Sequence, residues 1–234
     1  MRPHEVSPMN VLAVEMAQAA CSVAIRCDGR LAAQRRLDTG RTQAEALLPM
    51  IGEALASARV GYGDLNLLAA AVGPGLFTGV RGGLAAVRAF RLVLKVPALG
   101  VGTLHAVAAH AVEQGVARED ESIFVVNDAR NDEVYAQWFS LAAQPLGAAG
   151  LLSVDEAAAM APRGAVVLGT AASLLAARAG PGLRVEEGYG EADAAIVAAL
   201  AEAAARAPGF HDPGPPRPLY VRKPHARTLD ESKR

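Results

Sequence analysis

Gly73-Pro74-Gly75 joins an apolar run, Leu67-Leu68-Ala69-Ala70-Ala71-Val72, to the start of a helical pattern. Glycines before and after a φ-restricted proline allow a tight turn. Thr78 stands where a side chain can cap the helix, whose first N–H groups point into the loop. Strand, glycine turn and helix N-terminus is how α/β proteins build anion-binding corners. The run lacks the G-x-x-x-x-G-K-[ST] spacing of a Walker loop. Taken alone, it reads as a structural turn ahead of a phosphate site.

The other chemistry-bearing residues are few. Asp128, Arg130 and Glu133 flank a second tight turn. The preferred reading is a charged hairpin with a strand-end ion pair. In the alternative, Arg130 faces a cleft and meets a nucleotide or partner. His105 and His110 are five apart, so they leave a helix on different faces and read as surface or packing histidines. No His/Cys cluster has metal-ligand spacing, and no serine sits in G-x-S-x-G. Cys21 and Cys27 lie in one expected strand, roughly 20 Å apart at ~3.3 Å per residue, which excludes a disulfide between them within it. They read as reduced core thiols of a cytoplasmic protein.

The elements that must position these groups follow from periodicity. Val11–Glu15, Ala20–Cys27 and Leu31–Leu37 read as strands, with Asp28-Gly29 as a hairpin turn. A helix is expected over 42–59, with Leu47, Leu48, Ile51, Leu55 and Ala58 on one stripe. Strand 67–72, helix 78–95, strand 98–101 and helix 103–114 come next. Ser122–Asp128 and Glu133–Ser140 open a second strand-rich part, and alternating strands and alanine-rich helices run to Ala207. Element order alone predicts an α/β protein with mixed sheets.

In the second helix, Gly79, Gly82, Gly83, Ala86 and Ala89 flatten one side, and Arg81, Arg88 and Lys95 recur every seven residues. Interior glycine costs about 1 kcal/mol relative to alanine, so another backbone must come close. That backbone belongs either to the neighbouring sheet or to a helix of a second protein. After Ala207, prolines 208, 213, 215, 216, 218 and 224 exclude a helix. The preferred reading there is a solvated, partly disordered tail. The alternative is a docked strand at Leu219–Arg222 followed by a basic arm.

The stretch Gly73-Pro74-Gly75-Leu76-Phe77-Thr78-Gly79-Val80-Arg81-Gly82-Gly83-Leu84-Ala85 resembles the GPGSFTGLRIGLA signature of the TsaB (YeaZ) family. Met9–Glu15 with Ala20–Ile25, Ala44–Ile51, Asp128–Tyr135 and Pro218–Arg222 are similar to that family's other motifs, in the same order. The resemblance implies an actin-like ATPase (ribonuclease H-like) fold. It would have two lobes of mixed β-sheet flanked by helices, the second degenerate. The lobes are expected at 9–102 and 103–207, between an extension at 1–8 and a Pro-rich basic tail at 208–234.

The resemblance also implies a function. The chain would be a non-catalytic subunit that binds TsaD and supports N6-threonylcarbamoylation of adenosine 37 in tRNAs reading ANN codons. Further expected partners are a TsaE-like ATPase, a second copy of the chain, and tRNA through the complex. No cofactor is expected in the isolated chain; ATP or ADP and a metal belong to the partner subunits. The expected interface comprises Glu45, Leu48, Ile51, Leu55, Gly79, Arg81, Gly82, Ala86 and Arg88. A vestigial nucleotide site would comprise Glu15, Gly73, Pro74, Gly75, Thr78, Asp128 and Arg130. Glu15-Met16-Ala17 replaces the family's Asp-Thr-Ser, and Thr103 and Val107 occupy the positions of TsaD's H-x-x-x-H metal pair. Arg217, Arg222, Lys223 and Arg227 are expected phosphate contacts for tRNA. The competing readings are a free-standing nucleotide-binding ATPase or kinase of the same superfamily, and a homodimeric scaffold unrelated to tRNA.

A net charge of −1 gives the whole molecule no general affinity for polyanions. Hydrophobic residues make up 52%, much of it alanine, and no apolar run approaches the ~18 residues of a membrane span.

Overall fold

The computed structural model describes residues 8–38, 43–118, 121–161 and 164–222. Most of the N-terminal extension, Thr42, Lys223, His225 and Arg227 lie outside the described residues.

Asn10–Glu15 (β1) and Cys21–Cys27 (β2) are antiparallel, and Arg30–Leu37 (β3) extends the sheet outward. Asp28 and Gly29 both have positive φ, 48° and 80°, the backbone a tight two-residue hairpin demands. Gln43–Ala58 (α1) leads to Leu67–Ala71 (β4), which lies parallel to β1. Phe77–Leu94 (α2) then leads to Ala98–Val101 (β5), parallel to β4. The sheet order is β3-β2-β1-β4-β5.

Thr103–Glu113 (α3) carries the chain to the second sheet. There Ile123–Arg130 (β6), Glu133–Phe139 (β7) and Gly150–Ser153 (β8) are followed by Val154–Met160 (α4) and Val166–Leu168 (β9). Ala172–Ala179 (α5) and Arg184–Val185 (β10) complete it. Its order, β8-β7-β6-β9-β10, repeats that of the first sheet, with the same senses of pairing about β6 as about β1. The two mixed-sheet lobes expected from the resemblance are therefore present.

The last helix, Ala194–Arg206 (α6), falls within the stretch expected as the second lobe but packs on β1, β2 and β4 of the first. Ala194, Val197, Ala198 and Ala201 are buried there, and buried Glu202 pairs with Arg26 at 3.1 Å and Arg206 at 3.0 Å. One continuous core consequently spans the first sheet, α6, α3 and the inner face of the second sheet.

The segment after α6 departs from the loose tail expected of it. Residues 212–222 cross α2 as extended chain. Arg91 pairs with Asp212 at 2.6 Å, Arg88 donates two hydrogen bonds to the Pro216 carbonyl, and Arg81 donates to the Tyr220 hydroxyl at 2.9 Å. The Leu219 amide bonds the Val72 carbonyl at 2.8 Å. Arg222 reaches the second lobe, donating to the Ala129 carbonyl at 2.7 Å and pairing with Glu133 at 2.7 Å. A proline-rich chain has few amides of its own, so cationic side chains of α2 bind its carbonyls and side chains instead.

Candidate functional site: the interlobe cleft and the α1–α2 groove

The glycine loop faces the turn between β1 and β2 across the base of the cleft. The Leu76 amide donates to the Ala17 carbonyl at 2.7 Å. A Cβ placed on Gly75 would overlap that carbonyl oxygen, and one on Gly79 would overlap the Met16 oxygen. The start of α2 is thus pressed against carbonyl oxygens of its own lobe. Of the amides an anion-binding corner would offer, that of Leu76 is taken by the Ala17 carbonyl. Thr78 does not cap the helix: Leu76 is the N-cap, no side chain bonds the free amides, and Thr78 is exposed in the first turn. The loop holds the register one residue pair earlier than the hydroxyl pattern predicts.

Glu15 closes the base of the site. It is fully buried; Oε1 accepts from the Ala17 amide at 2.7 Å, and Oε2 has no partner. Burial pushes its carboxyl from 4.5 up to about 8, the Ala17 amide opposes that shift, and Glu191 and Asp193 add to it. At neutral pH the group is therefore mostly an uncharged acid. A loop amide thus satisfies this buried glutamate at one oxygen only.

Across the cleft, the Thr170 amide donates to Asn127 Oδ1 at 3.0 Å, and the Asp128 amide donates to Thr170 Oγ1 at 2.9 Å. Asp128 Oδ1 accepts from the Arg130 amide at 2.7 Å. The strand-end ion pair forms between Glu133 and Arg222, not with Arg130. Arg130 is exposed and lines a cleft cavity of about 460 Å3 together with Ala17–Ala19, Pro74–Phe77 and Glu191. Gln18, which no motif singled out, ties the cleft shut at its far end: it donates to the Gly190 carbonyl at 2.8 Å and accepts from the Ala192 amide.

The interface residues expected on α1 and α2 fall into three groups. Ile51, Leu55 and Gly79 are buried in the core of their own lobe, so they offer nothing to a partner. Arg81 and Arg88 hold the C-terminal segment on another face of α2. Glu45 and Leu48 are exposed, and Gly82 and Ala86 are partly exposed. With Tyr62, Phe90 and Val93, the last three of these line an apolar groove of about 680 Å3 between the two helices. Val93 is 75% and Leu48 59% exposed, an unusual apolar exposure on one face.

A family model described as TsaD, tRNA N6-adenosine threonylcarbamoyltransferase, matches residues 38–177. The chain is 32% identical over 221 residues to an uncharacterized protein of Mycobacterium tuberculosis, covering 94% of each. It is 36% identical over 129 residues to the tRNA threonylcarbamoyladenosine biosynthesis protein TsaB of Escherichia coli, covering 54% of this chain and 53% of that one. The match thus spans about half the length of that relative. The structure of YeaZ from Pseudomonas aeruginosa superimposes with a TM-score of 0.78 at 27% identity, covering 91% of this chain and 99% of that one. This chain belongs to the TsaB (YeaZ) family. Its fold is the actin-like ATPase fold of that family, and its relatives are named for tRNA threonylcarbamoyladenosine biosynthesis.

Thr103 and Val107, which the resemblance places where TsaD would carry a metal pair, are both fully buried on α3. His105 stacks on Phe139 at 5.9 Å, and burial pushes its imidazole below the ordinary range. His110 packs edge-on to Tyr189 at 5.3 Å. Both are packing histidines. Among the described residues, no group of three His, Cys, Asp or Glu side chains could hold a metal ion. No described helix is long and apolar enough to cross a membrane.

Glu15 yields a pH prediction. Unfolded, it ionises near 4.5; folded, it stays protonated up to about 8. Between those values the folded state holds an extra proton at Glu15, so this group's contribution to stability is fully present below 4.5 and is lost as pH rises through 8. Glu15→Gln, which cannot ionise, is expected to be more stable than wild type at pH 8 by on the order of a few kcal/mol, read as a higher Tm. Thermal melts of both proteins across the window check this. Parallel pH profiles would contradict it.

Proposed function

We propose that this chain is a non-catalytic subunit that binds a TsaD-type threonylcarbamoyltransferase and supports N6-threonylcarbamoylation of adenosine 37 in tRNAs reading ANN codons. The observation that carries the reading is the apolar groove on α1 and α2, left open by the described residues. In this reading ATP or ADP and the metal reside in partner subunits, a TsaE-like ATPase joins the assembly, and tRNA is engaged through it. A second copy of the chain would use the same groove when TsaD is absent.

The free-standing ATPase alternative would seat phosphates at the start of α2, where the Leu76 amide already bonds the Ala17 carbonyl. The experiment is a reconstituted modification assay. The chain alone should give no threonylcarbamoylated tRNA, and leaving it out of a mixture with the TsaD-like chain of the same source should abolish the product. Turnover by the repurified chain alone would overturn the reading.

A further inference from the structure

A second cavity, of about 410 Å3, opens between the first turns of α2, β7 and the docked C-terminal segment. Phe77, Tyr135 and Tyr220 contribute rings to its wall, and its charged lining residues are the arginines 81 and 222. Phe77 and Tyr220 remain 53% and 48% exposed, with ring centroids 5.6 Å apart. Arg81 lies with its guanidinium carbon 3.8 Å from the Phe77 ring centroid while its Nε donates to the Tyr220 hydroxyl, so it is held in place with both Nη groups directed to no described acceptor. Arg222 is engaged by Glu133 and Ala129 and serves as a fixed wall. Arg130, exposed in the adjoining cleft that shares Phe77 and Tyr135, has no ion pair among the described residues.

Exposed rings interleaved with fixed guanidinium groups are the chemistry of single-stranded nucleic-acid binding: bases stack on aromatic and arginine planes while cations meet the phosphates. Duplex bases cannot enter such a pocket, because their faces are already stacked. An acidic peptide would also meet the arginines, but it would leave the exposed half of the Phe77 and Tyr220 ring surface uncovered. We propose that this pocket binds an unpaired nucleotide of an RNA strand. The base stacks on the Phe77–Tyr220 wall, and its phosphates face Arg81 and Arg130. That the strand is RNA rests on the tRNA-modification reading above; the stacking chemistry does not.

The test uses the full chain and a fluorescent oligoadenylate, followed by anisotropy from about 50 to about 200 mM salt. Phe77→Leu keeps the apolar volume but removes the ring, and is expected to weaken binding about tenfold. Phe77→Trp should restore it, and Arg81→Gln should both weaken binding and lower the salt slope by about one. Circular dichroism melts accompany each variant, and Phe77→Trp decides the matter if Phe77→Leu fails to fold. The proposal is overturned if the wild type does not bind the strand, or if Phe77→Leu and Arg81→Gln bind as wild type does. Displacement by AMP at the strand's own affinity would overturn it in favour of a free nucleotide. Loss of TsaD association in Phe77→Leu would overturn it in favour of a protein ligand. Association measured on the same samples separates this proposal from the functional one: RNA binding that depends on Phe77 without any association sinks only the latter.

Discussion

Gly79→Ala is expected to lose about 3 kcal/mol of stability or more, a Tm fall of roughly 6–12 °C for a chain of this size. The added Cβ would overlap the Met16 carbonyl oxygen and come within 3.0 Å of its carbon. Both sides of that contact are backbone, one a helix and the other a turn closed by the Leu76–Ala17 hydrogen bond, so neither yields cheaply. The gain in helix propensity, about 1 kcal/mol, is too small to offset this. Three residues on, the sign reverses. A Cβ on Gly82 meets the mobile end of Met16 at 3.4 Å, so Gly82→Ala should be neutral or stabilising by up to about 1 kcal/mol. Thermal melts of the two variants check the pair. Equal Tm values would mean that the β1–β2 turn is not seated on α2.

Ala86→Trp is expected to leave the fold intact and to weaken association with the TsaD-like chain about a hundredfold or more, about 2.8 kcal/mol. Ala86 is partly exposed and lines the groove beside Leu48, Phe90 and Val93. An indole there fills the groove that a partner helix would otherwise enter. Sedimentation velocity, with circular dichroism as the fold control, reads both effects. Normal association would place the interface elsewhere. An unfolded variant would mean that Ala86 belongs to the lobe's own core.

These two positions mark the limit of what was legible in the sequence. The strands, the Asp28-Gly29 hairpin and the extents of α1 and α2 could be read because alternation, turn chemistry and helical period are local signals. A small residue, however, looks the same whether its neighbour is a carbonyl of its own lobe, as at Gly79, or an open groove, as at Gly82. Arg81 and Arg88 likewise read as a basic strip of a partner interface, because their acceptors at Tyr220 and Pro216 lie more than a hundred residues away. The same contacts order a segment whose proline content, taken alone, reads as loose. The duplication of the lobes left no trace in residue identity, since equal strand order requires only equal patterns of burial, not equal side chains. In the cleft, the motif residues Glu15, Gly75 and Arg130 were identifiable. That the Ala17 and Met16 carbonyls press on Gly75 and Gly79 depends on backbone placement, which carries no residue signature.

The central claim is that this chain works by binding a TsaD-type transferase through the α1–α2 groove. The most direct measurement is light scattering on a size-exclusion column, loading this chain, the TsaD-like chain of the same source, and their mixture. The account predicts a mixed species containing both chains that Ala86→Trp abolishes and Phe77→Leu leaves unchanged. Two chains that elute separately, each at its own mass, would contradict it.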